Sequence, residues 1–282
     1  FVPGSELSLT DLRAMANRIT SFYRSNGYFV AQAYLPAQTI ENGAVTMVVS
    51  EGEYGKITLN NQTNVSSSLA NSLMEGLQSA DPVTTDRLEN RLLLLSDLPG
   101  VKVKATLLPG AVAGTSDLVV DLTPGQRFSG SVDADNAGNR YTGEYRVGAT
   151  LNLNEPLGLG DVASLRLLTS GVGLNYARAS YQLQFGKATL GVAYSALAYE
   201  LGEEFASLHA TGTVRTTSLY GSYPLLRTRN SNLTAGLLLD DKVFQDKIGT
   251  PTSVSDKKVQ VLTASLRGDS RDFLGGGGLN SF

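Results

Sequence analysis

The chain has 282 residues, a net charge of −3 and a pI of about 5.3, which excludes the bulk positive field of a nucleic-acid-binding protein. Apolar residues make up 41% and never run for 18 in a row, so no transmembrane helix is predicted. A transmembrane barrel escapes that exclusion, since only every second residue must be apolar. Cysteine is absent, which removes disulfides, thiol catalysis and thiolate metal sites.

The chain starts at Phe1 rather than Met, with no charged-then-apolar leader, and is expected to be a fragment or processed product of a longer protein. Ser8-Leu9-Thr10-Asp11 predicts a helix start. Leu12, Met15, Ile19, Phe22 and Tyr23 then recur at helical spacing, and Asn26-Gly27 ends the helix. Tyr28 to Leu35 reads as a strand, Glu41-Asn42-Gly43 as a turn and Ala44 to Val49 as a second strand. Next come a strand over Gly55 to Leu59 and a helix over Ser66 to Leu77. A second helix, capped by Thr84 or Thr85, runs to about Asp97 and stops at Pro99-Gly100. Strands follow over Val101 to Leu108 and Asp117 to Leu122. The order is β-α-α-β-β, and residues 1 to 52 repeat its second half, an internal repeat with a truncated first copy.

From Arg127 onward strands succeed one another near 128–136, 142–154, 161–170, 174–186, 188–201, 212–224, 231–244 and 257–269. Side chains alternate along them. In one segment Tyr141, Tyr145, Val147, Ala149, Leu151 and Leu153 oppose Thr142, Glu144, Arg146, Thr150, Asn152 and Asn154. Successive strand side chains point to opposite faces, so each ribbon has an apolar and a polar side. The short turn Gly186-Lys187 contrasts with predicted long loops at Glu200 to Thr211 and Gln245 to Asp256, a habit of outer-membrane barrels. A soluble sandwich or lipocalin-like barrel would also alternate, with its apolar face inward. Here the polar face is chiefly Ser, Thr, Asn, Gln and Gly with a few Arg, which suits a hydrated lumen, and Tyr141, Tyr145, Tyr181 and Tyr223 suit an interfacial girdle. Arg146, Arg166 and Arg178 are the lumen-facing candidates, with counter-charge to Asp or Glu as the competing use.

Nothing points to an enzyme. His209 is the single histidine and falls in a long loop; no nucleophile elbow, phosphate loop or His-rich metal spacing is visible. Asp240-Asp241 and Asp269 with Asp272 are acidic pairs that either hold Ca²⁺ or face water. No cofactor and no metal is expected.

Several runs carry a resemblance. Tyr23-Arg24-Ser25-Asn26-Gly27-Tyr28, Tyr34-Leu35-Pro36-Ala37-Gln38 and Glu51-Gly52 look like the end of one POTRA domain. Leu94-Leu95-Ser96-Asp97-Leu98-Pro99-Gly100-Val101, Leu108-Pro109-Gly110 and Gly114-Thr115-Ser116-Asp117-Leu118 look like a second. Asp135-Asn136-Ala137-Gly138-Asn139-Arg140-Tyr141-Thr142-Gly143 and Asn154-Glu155-Pro156-Leu157-Gly158-Leu159-Gly160-Asp161 resemble the opening strands and turn of a barrel. In this order they resemble the TpsB transporters of two-partner secretion, the haemolysin secretion/activation and filamentous-haemagglutinin exporter group of the Omp85 superfamily.

The resemblance implies α+β POTRA domains followed by an antiparallel transmembrane β-barrel, truncated here to about half its strands. The implied boundaries are 1–53 for the C-terminal part of POTRA1, 54–125 for POTRA2 and 126–282 for the N-terminal half of the barrel. It further implies an outer-membrane location, POTRA domains in the periplasm, and export of a large β-helical exoprotein of haemolysin or adhesin type without nucleotide hydrolysis. Outer-membrane lipid is the second partner and nucleic acid is not one. The family's plug helix and Val-Arg-Gly-Phe loop motif do not occur in this sequence. Within POTRA units the second strand is the expected edge, open to β-augmentation by an unfolded client. That edge would carry Tyr28, Val30, Tyr34 and Leu35 in the first unit and Val101, Val103 and Leu107 in the second. An assembly factor of the same superfamily, inserting barrel proteins instead of exporting a client, is the alternative; a passive porin would not need POTRA units.

Overall fold

A computed structural model describes residues 7–40, 43–249, 253–272 and 276–282. Glu41 and Asn42 of the predicted first turn, and part of the predicted 245–256 loop, lie outside them. Helix α1 (Leu9–Ser25) begins as its sequence requires: Ser8 and Asp11 form a reciprocal capping box, satisfying two orphan donors. Those bonds hold the Asp11 carboxyl below its ordinary range. Strands β1 (Gln32–Tyr34) and β2 (Val48–Ser50) pair antiparallel. Then come β3 (Glu53–Asn61), α2 (Ser67–Met74), α3 (Thr85–Ser96), β4 (Val101–Pro109) and β5 (Thr115–Pro124). Their three-stranded sheet has the order β3-β5-β4, with β3 and β5 parallel. The predicted element order of both copies is therefore present.

The remaining strands are β6 (Phe128–Asp135), β7 (Arg146–Asn154), β8 (Val162–Thr169), β9 (Leu174–Phe185), β10 (Ala188–Glu200), β11 (Thr211–Arg227), β12 (Ser231–Ile248), β13 (Ser253–Asp272) and β14 (Gly278–Ser281). They form one nine-stranded sheet in sequence order, every described pair antiparallel, with β6 and β14 at its ends.

The chain packs as two compact units. One comprises the described residues up to Asn61 with Met74–Leu93 and Val103–Leu122; the other comprises Gln62–Leu73, Leu94–Lys102 and Thr123–Phe282. The first is built around buried Leu12, Ala16, Ala33, Tyr54, Val83, Leu118, Val120 and Leu122. In the second, Val65, Leu69, Leu73, Leu94, Leu95 and Leu98 form the apolar centre, while the nine-stranded sheet leaves large aliphatic side chains in the open.

Several predicted bounds are corrected. The strand expected over Tyr28 to Leu35 shrinks to Gln32–Tyr34, because Tyr28 N–H donates to Tyr23 O and Ala31 N–H to Tyr28 O, bending the chain into a turn that holds Tyr28 and Val30. The strand expected from residue 142 starts at Arg146. Before it, Gly138 N–H bonds Glu144 O, Thr142 N–H bonds Asn139 O, and Gly143 sits at φ +101°, so a folded loop replaces the ribbon. Pro224 does not end β11: a bulge between Pro224 and Leu226 absorbs the missing N–H and the strand continues to Arg227. The predicted 245–256 loop is mostly ladder, with Gln245 opposite Asp256 and Ile248 opposite Ser253. Both faces are polar there, so the ribbon carried no amphipathic signal. Strand β14 was not foreseen; four residues after a glycine run have too little alternation to read.

Candidate functional site

In-register partners trace rows across the nine-stranded sheet. One row runs Leu153, Ala163, Tyr181, Val192, Leu219, Leu239, Leu262. Leu262 is 73% exposed, Leu219 57% and Val192 53%. On the opposite face Ser195, Ser218 and Asp240 are buried although the sheet is a single layer, which follows if it curves toward that side. Ser218 Oγ donates to Asp240 Oδ1 at 2.7 Å, and Lys242 Nζ lies 3.3 Å from Asp240 Oδ2. The sheet thus presents an exposed apolar face and a partly enclosed, hydrogen-bonded polar face.

The three arginines expected in the lumen share this polar face. Arg146 Nε donates to Asp135 Oδ1 at 2.9 Å. Arg166 donates to Thr150 Oγ1 at 3.0 Å and to Asp133 Oδ2 at 3.2 Å. Arg178 stands directly opposite Arg166 in the β8–β9 ladder, and its side chain forms neither hydrogen bond nor ion pair among the described residues. Counter-charge therefore accounts for the first two and leaves Arg178 as the free cation. Of the acidic pairs, Asp240 is engaged as above, Asp241 meets Lys258 Nζ at 3.3 Å and Asp269 accepts from Asn232 at 3.0 Å. Asp272 accepts from Gly278 N and Asn280 Nδ2. Protein donors occupy each of them, and no cluster of three metal-ligating side chains exists among the described residues.

The expected client-binding edges divide. Strand β4 is an edge of its sheet, and Val101, Val103 and Leu107 are half-buried on one side of it, between exposed Lys102, Lys104 and Leu108. In the first copy Tyr34 is exposed on β1 and Leu35 is half-buried just beyond it. The outer side of β1 is partly used, since Ala33 N–H donates to Thr20 Oγ1 at 2.9 Å.

At the rim where the sheet begins, hereafter proximal, the turn 155–161 builds a buried polar knot that the sequence reading did not single out. Asp161, fully buried, accepts from Leu157 N at 3.0 Å, Leu159 N at 2.9 Å and Tyr181 Oη at 2.6 Å. Gly158 and Gly160 adopt φ of +75° and +62°, which lets the amides turn inward to meet that carboxylate. Glu155 lies beside it, 7% exposed and at φ +55°, and neither of its carboxyl oxygens has a hydrogen-bond partner. Burial first, and the Asp161 charge second, push its pKa up to about 7; the Gly160 N–H opposes this without reaching hydrogen-bond geometry. The turn is anchored by Ser66 N–H to Gly158 O, 2.8 Å. At the same rim Arg227 grips Asp97 bidentately, Nε–Oδ2 and Nη2–Oδ1 both 2.7 Å. Two glycines alternating before an acid in Gly158-Leu159-Gly160-Asp161 were the available signal for the knot. Nothing local joins Asp97 to Arg227.

POTRA-type repeats followed by a large antiparallel sheet with one apolar and one polar face define the fold as part of an Omp85-type barrel. Residues 114–280 match the haemolysin secretion/activation protein family ShlB/FhaC/HecB, and residues 1–52 match the ShlB-type POTRA domain. The chain belongs to the ShlB/FhaC/HecB family. It is 35% identical over 269 residues to the heme/hemopexin transporter protein HuxB of Haemophilus influenzae, covering 94% of this chain and 48% of HuxB. To the outer membrane transporter CdiB of Dickeya dadantii it is 27% identical, covering 73% and 37%. Among solved structures, CdiB from Escherichia coli superposes with a TM-score of 0.70 at 21% identity, covering 98% of this chain and 52% of CdiB. BamA from Haemophilus ducreyi gives 0.52 at 15% identity, covering 96% and 55%, a likeness of fold. The chain spans about half the length of the curated relatives it matches.

Proposed function

We propose that the protein is part of an outer-membrane transporter that exports a large β-helical exoprotein, captured unfolded by POTRA domains in the periplasm and passed through the barrel lumen without nucleotide hydrolysis. The observation that carries this reading is the division of the nine-stranded sheet. Leu219, Leu237, Leu262 and Leu266 line an exposed apolar face, while Ser218, Asp240, Arg166 and Arg178 line the other. Lipid against the first face satisfies its aliphatic side chains, and the second face then bounds a hydrated passage.

Capture proceeds by β-augmentation on the unpaired side of β4, where backbone groups are open and Val101, Val103 and Leu107 offer alternate apolar contacts. Tyr34 and Leu35 serve the same end in the first copy, with Tyr28 and Val30 contributing from the turn that precedes it. Arg178 lacks a partner and supplies a cation to passing acidic or carbonyl groups. The test is secretion by cells carrying the full-length protein, with Val103→Pro and Tyr34→Pro combined and circular dichroism of the purified variant as folding control. Loss of the exoprotein from the medium, with the fold kept, supports the reading. Undiminished secretion overturns augmentation, and a general loss of other outer-membrane barrels would identify an assembly factor instead.

A further inference from the structure

One row of the apolar face carries two cations, Arg215 and, two strands further on, Lys258, of which Lys258 is paired with Asp241. In register across five strands lie Ala149, Leu167, Ala177, Ala196 and Arg215. Ala177 and Ala196, with Ala198 one row further toward the distal rim, leave a depression walled on the β8 side by the longer Leu167, beyond which lie Ala149 and Val147. Its volume is about 660 Å³, within the usual size of a small-molecule site. Strand β11 is the last to line it, so Arg215 closes one end.

Arg215 is exposed, and its side chain has no hydrogen bond or ion pair among the described residues. Asp241, diagonal to it on the next strand, is taken by Lys258 Nζ at 3.3 Å. An unpaired guanidinium on a lipid-facing surface is costly at mid-bilayer and cheap near the interface. Counting along β11 places it. Arg227 marks the proximal rim, and a tilted strand crosses the hydrocarbon in about 9–11 residues. Arg215 is twelve positions from Arg227, one of them absorbed in the bulge, which puts it at the far lipid–water boundary. Phosphate groups reside at that depth, and an arginine fork matches a phosphate bidentately where a lysine offers only a point charge.

We propose that this groove binds a phosphorylated glycolipid of the distal leaflet, with one acyl chain along Ala177, Ala196 and Ala198 against Leu167 and a sugar-borne phosphate on Arg215. The proposal rests on the reading of the exposed apolar face as lipid-facing, and the experiment separates the two. Full-length protein is extracted from outer membranes in mild detergent, and bound lipid is measured by native mass spectrometry, with purified lipid A titrated back after delipidation. Expected are about one phosphorylated glycolipid per protein, at least a fivefold loss of occupancy in Arg215→Gln, a partial loss in Arg215→Lys and a loss in Ala177→Leu with Ala196→Leu, which fills the depression while keeping the charge. Unchanged occupancy in Arg215→Gln and in the filled variant overturns the site, as does a phospholipid in place of the glycolipid. Nitroxides at Leu219→Cys and Leu237→Cys report on the underlying reading. Oxygen-accessible, lipid-like environments there with unchanged occupancy in Arg215→Gln refute the lipid site alone, whereas aqueous environments at both positions refute the membrane-facing sheet as well.

Discussion

Glu155 gives a sharp quantitative prediction. Its carboxyl is buried beside Asp161 without a hydrogen-bond partner, and its pKa stands at about 7 against an ordinary 4.5. That difference corresponds to ~3 kcal/mol of native-state preference for the protonated form. Because the folded value is raised, the native state holds a proton that the unfolded chain has released between pH 4.5 and about 7. The stabilisation is complete below pH 4.5 and is lost as pH rises through 7. Glu155→Gln keeps the shape and cannot ionise. Relative to wild type it should gain on the order of 2–3 kcal/mol between pH 5 and pH 8, read as a widening difference in urea midpoint by tyrosine fluorescence of the full-length protein in micelles. A difference that stays constant with pH, or narrows as pH rises, would refute the reasoning that burial and the neighbouring carboxylate hold the proton.

Three further outcomes follow from the same geometry. Gly160→Ala places a Cβ 2.7 Å from Gln184 Cβ and 3.0 Å from Leu98 Cδ2 at φ +62°. It should destabilise by roughly 2 kcal/mol or more, seen as a lower midpoint in the same titration. Asp97→Asn breaks the bidentate contact with Arg227; since the Asp97 side chain is 47% exposed, the expected cost is only about 1 kcal/mol, and a double-mutant cycle with Arg227→Gln should show coupling of that size. Tyr54 is 1% exposed with an unpartnered hydroxyl, and burial followed by the Asp81 charge push its pKa up to about 12. Removing that hydroxyl in Tyr54→Phe should therefore be neutral or stabilise by about 1 kcal/mol, and a clear drop in melting temperature would disprove it.

Much of this architecture could be read from alternation and punctuation. Ser8-Leu9-Thr10-Asp11 signals a helix start, and the helix begins there behind a capping box; the ribbons from 174 to 200 keep their predicted faces because Leu183, Leu190 and Val192 alternate cleanly with Gln184 and Gly191. Reading failed where a side chain's role depends on remote partners. Tyr28 to Leu35 has strand composition, yet turn bonds from Tyr23 and Tyr28 claim the backbone first. At β12 and β13 the ladder outlasts the apolar pattern, because backbone pairing continues where both faces meet water. Arg146 and Arg166 could be assigned to the polar face by parity alone. Their pairing with Asp135 and Asp133, and the freedom of Arg178, required the register. Asp161 and Glu155 belong to a turn motif visible in the sequence, but only the fold shows one carboxylate saturated by donors and its neighbour with none.

Whether a client travels along the polar face can be measured by thiol cross-linking to a stalled exoprotein, since this chain has no cysteine of its own. Single replacements would be Ser180→Cys and Thr216→Cys on that face, and Val192→Cys and Leu219→Cys on the exposed apolar one. Cross-links from Ser180 and Thr216 with none from Val192 and Leu219 are the predicted result. Cross-links only from Val192 and Leu219, or from no position while secretion proceeds, would contradict passage through the lumen.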